Sequence, residues 1–218
     1  MKSLVAVIIL YLTSNTSIAD DLYRITLLRA APGNLTQLLE KASNYKTQQK
    51  DNVSIMRHSQ GDHWDLMLLE PAGKYPLNSH DFSDISDFQH SFLAKSVTSW
   101  KQLKPKADES GLFHIEMFHA VHGRADELLK QRAMENEYLT ATERRANVIF
   151  ETTFGNDVDS FTIGYYPDLA AFASMPDLDS EVFSKAATDA GFKSRDDIGL
   201  YLRQLIVAHH DTLATRVD

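Results

Sequence analysis

Residues 111–130, GLFHIEMFHAVHGRADELLK, carry the same pattern as residues 21–40, DLYRITLLRAAPGNLTQLLE. Aligned end to end, the two stretches share Leu22/Leu112, Ile25/Ile115, Ala30/Ala120, Gly33/Gly123, Leu38/Leu128 and Leu39/Leu129. These are six identities in twenty positions, where unrelated sequence gives about one. Tyr23/Phe113 and Leu27/Met117 add close replacements. With four extra residues in the second copy, Gly61 meets Gly155 and Asp65 meets Asp159. The order of features is kept, so a tandem repeat is expected, its first unit over 21–105 and its second over 110–218.

Both units spell the same elements. Tyr23, Ile25 and Leu27, like Phe113, Ile115 and Met117, alternate with more polar neighbours. That is the period-2 signature of a strand with two unlike faces. A glycine then separates each strand from an amphipathic helix, with Leu35, Leu38, Leu39 and Ala42 in one copy and Ala125, Leu128 and Leu129 in the other. Two strands about a glycine turn follow: VSIMRH and HWDLMLLE around Gly61, NVIFETT and DSFTIGYY around Gly155. A helical region closes each unit. In the second it is interrupted, running through DLAAFAS, DSEVFSKAATDA and DDIGLYLRQLIVAHH before a closing strand DTLATRV. The β-α-β-β-α-β order predicts an α+β protein of two tandem ferredoxin-like units.

With FHIEMFHAVHGRADELL and FGNDVDSFTIGYYPDLAAFA in this order, the chain resembles the dimeric α+β barrel superfamily. That group includes the antibiotic-biosynthesis monooxygenase-like proteins, the NIPSNAP-type proteins and, among haem users, the chlorite dismutases and dye-decolourising peroxidases. The resemblance covers nearly all of the chain after residue 20. It implies two four-stranded sheets packed face to face into a barrel, with helices outside and a small molecule inside. Here the repeat would supply both sheets from one chain, each covering the other's exposed face, and a homodimer through other surfaces is compatible with this. The resemblance implies an oxygenase without a tightly held cofactor. The alternatives are a non-catalytic ligand-binding or stress protein and, further off, a haem-binding protein of the chlorite dismutase or peroxidase type.

Alternation nominates the site residues. If Phe113, Ile115 and Met117 pack beneath the helices, His114, Glu116 and Phe118 face the barrel interior, as do Arg24, Thr26 and Leu28 in the first copy. Trp64, Leu66 and Leu68 share one face, and Ser160 and Thr162 another. This interior is the expected pocket, with Thr26, Trp64, Phe118 and Thr162 in its lining. For an enzyme, His114 is the candidate general base, with Glu116 orienting it or Arg24 steadying an oxyanion; otherwise these groups pair with one another and fill the barrel. His114 and Glu116 could hold two positions on one ion, but no third ligand is evident and no metal is expected. On the expected last helix His209 shares a stripe with Ile198, Leu202, Leu205 and Ile206, near a helix C-terminus that favours a cation. Helical spacing buries Arg132 and Asn136, with Glu135 or Glu151 as acids for the arginine.

Composition narrows the field. A net charge of −8 over 218 residues argues against nucleic acid as the main partner. There is no cysteine, which excludes disulfides, thiolate metal sites and cysteine nucleophiles. No GxSxG elbow, P-loop or GxGxxG is present. Lys2, the apolar run Leu4 to Leu12 and the small residues of Ser17-Ile18-Ala19 read as a signal peptide over 1–19. A periplasmic or secreted protein without stable membrane insertion is expected, acting on a small apolar or aromatic molecule.

Overall fold

The computed structural model describes residues 21–50, 52–74 and 82–217; the expected signal peptide and His80 lie outside them. The first half holds β1 (Asp21–Ala30), α1 (Leu35–Gln48), β2 (Ser54–Gln60), β3 (Leu66–Pro71), β4 (Ser86–Ser96) and α2 (Trp100–Glu109). The second holds β5 (Leu112–Ala120), α3 (Ala125–Ala141), β6 (Val148–Phe154), β7 (Ser160–Tyr166), α4 (Leu169–Ala173), α5 (Ser180–Asp189), α6 (Asp197–Leu205) and β8 (Ile206–Arg216). All strand pairings are antiparallel, and the strands close into one barrel in the order β1-β3-β2-β8-β5-β7-β6-β4. The protein is thus a mixed α+β fold around an eight-stranded antiparallel barrel.

Each half contributes four neighbouring strands in equivalent order, β4-β1-β3-β2 and β8-β5-β7-β6. Matched residues make matched bonds. Asp65 accepts from the Ala30 amide and Asp159 from the Ala120 amide, each at 2.7 Å. Gly33 and Gly123 take left-handed φ values of +88° and +78° in the turns that lead into α1 and α3, a conformation glycine adopts without a Cβ penalty. The halves differ between their third and fourth strands. Among the described residues only a short 3-10 turn (Ala72–Lys74) follows β3, whereas α4, α5 and α6 follow β7.

The sidedness of the strands reverses the expectation. Tyr23, Ile25 and Leu27 of β1, Phe113, Ile115 and Met117 of β5, and alternate residues of the other strands form one buried cluster that draws on all eight strands, and so fills the lumen. Phe150 and Phe161 stack there at 4.5 Å, with Tyr23 edge-on to Phe150 at 5.4 Å. Leu103 and Ala107 of α2 join this cluster and plug one end of the barrel. Arg24, Thr26, Leu28, His114, Glu116 and Phe118 therefore point outward, toward the helices. Burial inside a closed barrel is complete, whereas helices cover an outer face only in part. The most apolar face accordingly goes where the most hydrocarbon leaves water, at about 25 cal/mol per Å².

The last helix is also shorter than its sequence suggested. α6 ends at Leu205 and β8 begins at Ile206, so His209 and His210 stand on a strand paired with β5. His209 therefore does not lie at a helix C-terminus, and no helix dipole explains it. The run Ile206-Val207 suits an extended chain, and β5 would otherwise present an unpaired edge.

Candidate functional site: an open groove on the outer face of β5 and β8

Register places the site. In the β5–β8 ladder His114 lies opposite Leu213, Glu116 opposite Asp211, and Phe118 opposite His209. Pleating sends all six to one face. That face is floored by β5 and β8 and overhung by Phe172 of α4, whose ring lies 5.0 Å from His114 and 5.2 Å from Tyr166. Asp168 caps α4 by accepting the Ala171 amide at 2.8 Å, which fixes Phe172 at the edge. The result is a groove of about 420 Å³ lined by Gln60, His114, Glu116, Phe172, Asp211 and Leu213. Gly61, at φ +128°, brings the β2–β3 turn against β8; a Cβ there would stand 2.1 Å from the Asp211 carbonyl oxygen.

The polar groups are only partly matched. Thr162 donates to Glu116 Oε2 at 3.2 Å, and Arg132 of α3 approaches the same oxygen at 3.8 Å. His209 Nε2 holds Asp211 Oδ2 at 3.1 Å, while His114 Nε2 stands 3.8 Å from Asp211 Oδ1. Burial pushes the Glu116 carboxyl above its usual range; Arg132 and His114 offset this in part, and Glu135 and Asp211 reinforce it. Two carboxylates directly opposed across an antiparallel pair repel. A proton, a cationic ligand or a metal ion placed between them would relieve that.

The expected site residues separate into two groups. His114, Glu116, Phe118 and Thr162 come together, but on the outer face and not in the lumen. Phe118 is sealed between the Arg132 guanidinium, 4.9 Å over its ring, and His209, stacked at 6.2 Å. Arg24 is not with them: it is 1% exposed, and its Nε donates to Glu70 at 2.7 Å. Tyr45 of α1 completes that knot through Glu70 Oε2 at 2.8 Å. Thr26 bonds Ser91 at 2.9 Å, and Trp64 is buried at the edge of the luminal cluster, 5.8 Å from His58. Of the two acids considered for buried Arg132, Glu135 is the partner, while Glu151 pairs with Lys95. Asn136 exchanges two 2.8 Å bonds with the Asn147 backbone.

Two site residues carried no sequence signal: Asp211 opened the expected closing strand with no known neighbour, and Phe172 lay in a helix with no evident partner. His209 was noticed, but as the end of a helix. Four further histidines, His63, His90, His119 and His210, gather at the barrel mouth, around a cavity of about 340 Å³ that reaches Leu27 and Met117. A larger hollow of about 510 Å³ lies between α3, α5 and α6, lined by Lys130, Lys193 and Tyr201, away from the opposed carboxylates. Among the described residues, no helix is long and apolar enough to cross a membrane.

No family model and no curated protein matches the sequence. Solved structures do match. An anthrone oxidase-like protein is similar over 91% of this chain and 92% of its own, with a TM-score of 0.61 at 10% identity. This is the α+β barrel fold. A Fusobacterium nucleatum protein designated a monooxygenase matches over 92% and 94%, with a TM-score of 0.58 at 10% identity. A haem-binding protein from Thermus thermophilus matches over 91% and 92%, with a TM-score of 0.51 at 12% identity. At such identities the likeness is one of fold.

Proposed function

We propose that the chain binds a small aromatic or apolar molecule in the β5–β8 groove, as a monooxygenase-like α+β barrel protein without a tightly held organic cofactor. One observation carries this reading: the outer face is sealed in the first half, but in the second it stays open over His114, Glu116 and Asp211 with an aromatic roof. Phe172 and Tyr166 offer ring surfaces for stacking, and Leu213 extends the apolar floor. In the metal-free protein His114 accepts a proton from the bound molecule, and Asp211 stabilises the imidazolium that forms. The anthrone oxidase-like and monooxygenase neighbours support this class of substrate. A ligand-binding or stress protein would use the same groove without turnover. We also propose that the matched halves descend from one duplicated ferredoxin-like unit, and that residues 1–19 direct export.

Haem is the second reading, favoured by the Thermus thermophilus neighbour. The groove's own residues fit it poorly: Glu116 and Asp211 would face the anionic propionates, and neither lysine nor arginine lines the space. A Soret band in protein purified from its own host would restore haem.

A thermal-shift screen of small aromatic molecules tests the main reading. Hits should raise the melting temperature of the parent and of His119→Ala, but not of Phe172→Ala. Shifts that persist in Phe172→Ala would move the site elsewhere.

A further inference from the structure

The sequence offered His114 and Glu116 as two ligands in search of a third. The fold supplies it from across the ladder: one ligand atom each from His114, Glu116 and Asp211 lie within 4.8 Å of one another. We infer that these three residues form a binding site for a divalent first-row transition ion of the zinc class.

The bonding pattern singles out the ligand atoms. Among the described residues, Glu116 Oε2 is engaged by Thr162 and Asp211 Oδ2 by His209. No hydrogen bond reaches Glu116 Oε1, Asp211 Oδ1 or either ring nitrogen of His114, and His114 Nε2 stands 3.8 Å from Asp211 Oδ1. Three donor groups thus converge, and each carboxylate keeps one oxygen unspent while an outer partner holds the other. That is how an outer shell orients metal ligands. Donors about 2.1 Å from a shared zinc stand roughly 3.4 Å apart in a tetrahedral site, so small rotamer changes close this one. One imidazole and two carboxylates suit zinc, manganese and ferrous iron better than a soft ion. Arg132 bears on Glu116 from the α3 side and is itself held by Glu135, so two acids face the ion without a free cation against them. Three protein ligands leave positions open toward Phe172.

This inference rests on the groove as the ligand site and changes which group supplies the base there. His114 would then be a ligand, and the hydroxide left when water on the ion loses a proton, at a pKa lowered toward about 7, would be the base instead.

The test is titration of chelator-stripped full-length protein with Zn²⁺ by calorimetry and with Co²⁺ by visible absorbance. One ion per chain is expected. His114→Ala and Asp211→Asn should each weaken binding at least tenfold, as should Glu116→Gln, and circular dichroism should show these variants folded. His119→Ala at the barrel mouth should leave binding unchanged. The absence of saturable one-to-one binding, or binding indifferent to both His114→Ala and Asp211→Asn, overturns the inference. Thermal shifts with aromatic molecules on the stripped protein report on the groove independently. Lost metal binding with retained shifts removes the ion and leaves the groove.

Discussion

The two halves set four strands in equivalent order against different chemistry, position by position. On β1, Arg24 has Glu70 directly opposite on β3; on β5, His114 has Gly164 opposite on β7. On the other flank Thr26 meets Ser91 with a hydrogen bond, whereas Glu116 meets Asp211, acid against acid. Ala42 and Tyr45 of α1 correspond to Arg132 and Glu135 of α3. In the first half every exchange favours closure: the guanidinium, carboxylate and phenol of Arg24, Glu70 and Tyr45 satisfy one another in a dry seam. In the second, a glycine with the Tyr166 ring over it stands where the carboxylate partner would be, and like charges oppose. The first half is given to stability, the second carries unrelieved polarity. Sites that bind or react characteristically hold such polarity.

The largest expected effect breaks the sealed side. Arg24→Ala removes the guanidinium that faces Glu70 in the buried seam, which should cost about 3–5 kcal/mol and lower the melting temperature by about 10 °C. A surface-like response would mean the seam is wet and the contrast false. Next, Gly164→Ala should begin to close the open side. Its Cβ would meet the Tyr166 ring at 2.7 Å and Asn147 Oδ1 at 2.8 Å, an overpacking cost of about 1–3 kcal/mol, and ligand-induced thermal shifts should shrink with it.

His114→Ala should cost no more than about 1 kcal/mol, because the ring is partly exposed and makes no hydrogen bond, while abolishing the response to ligand. Loss of stability with an unchanged ligand response would reduce His114 to packing.

The smallest effect is a gain. Since the folded-state pKa of Glu116 lies above its unfolded value, the folded protein binds the proton more readily, and stability falls as pH rises through the folded pKa. Glu116→Gln should therefore melt higher than the parent at neutral pH, with the advantage shrinking toward the ordinary carboxylate range. A lower melting point at neutral pH would show that the carboxylate is compensated in the metal-free protein.

Much of this was legible in the chain. The Tyr23-Ile25-Leu27 and Phe113-Ile115-Met117 alternations, the paired Gly33 and Gly123, and the matched Asp65 and Asp159 gave strands β1 and β5 and the turns that follow them. Periodicity says that a strand has two faces; it does not say which one a barrel will enclose, and so the faces were inverted. Asp211 was hidden for another reason. Its part in the site depends on β8 pairing with β5, and QLIVAHH has enough helix formers to extend a helical reading past Leu205. Gly164 is eloquent only beside Glu70, a comparison that needs the register of both ladders.

The most direct test of the open-face account is mapping of backbone amide chemical shifts on adding an aromatic hit from the screen. The account predicts perturbations at Gly164, Thr212, Leu213 and Phe172, with Thr26, Leu68 and Glu70 on the sealed face unmoved. Perturbations concentrated at Leu27, Met117 and Val158 would place the ligand in the barrel mouth and contradict it.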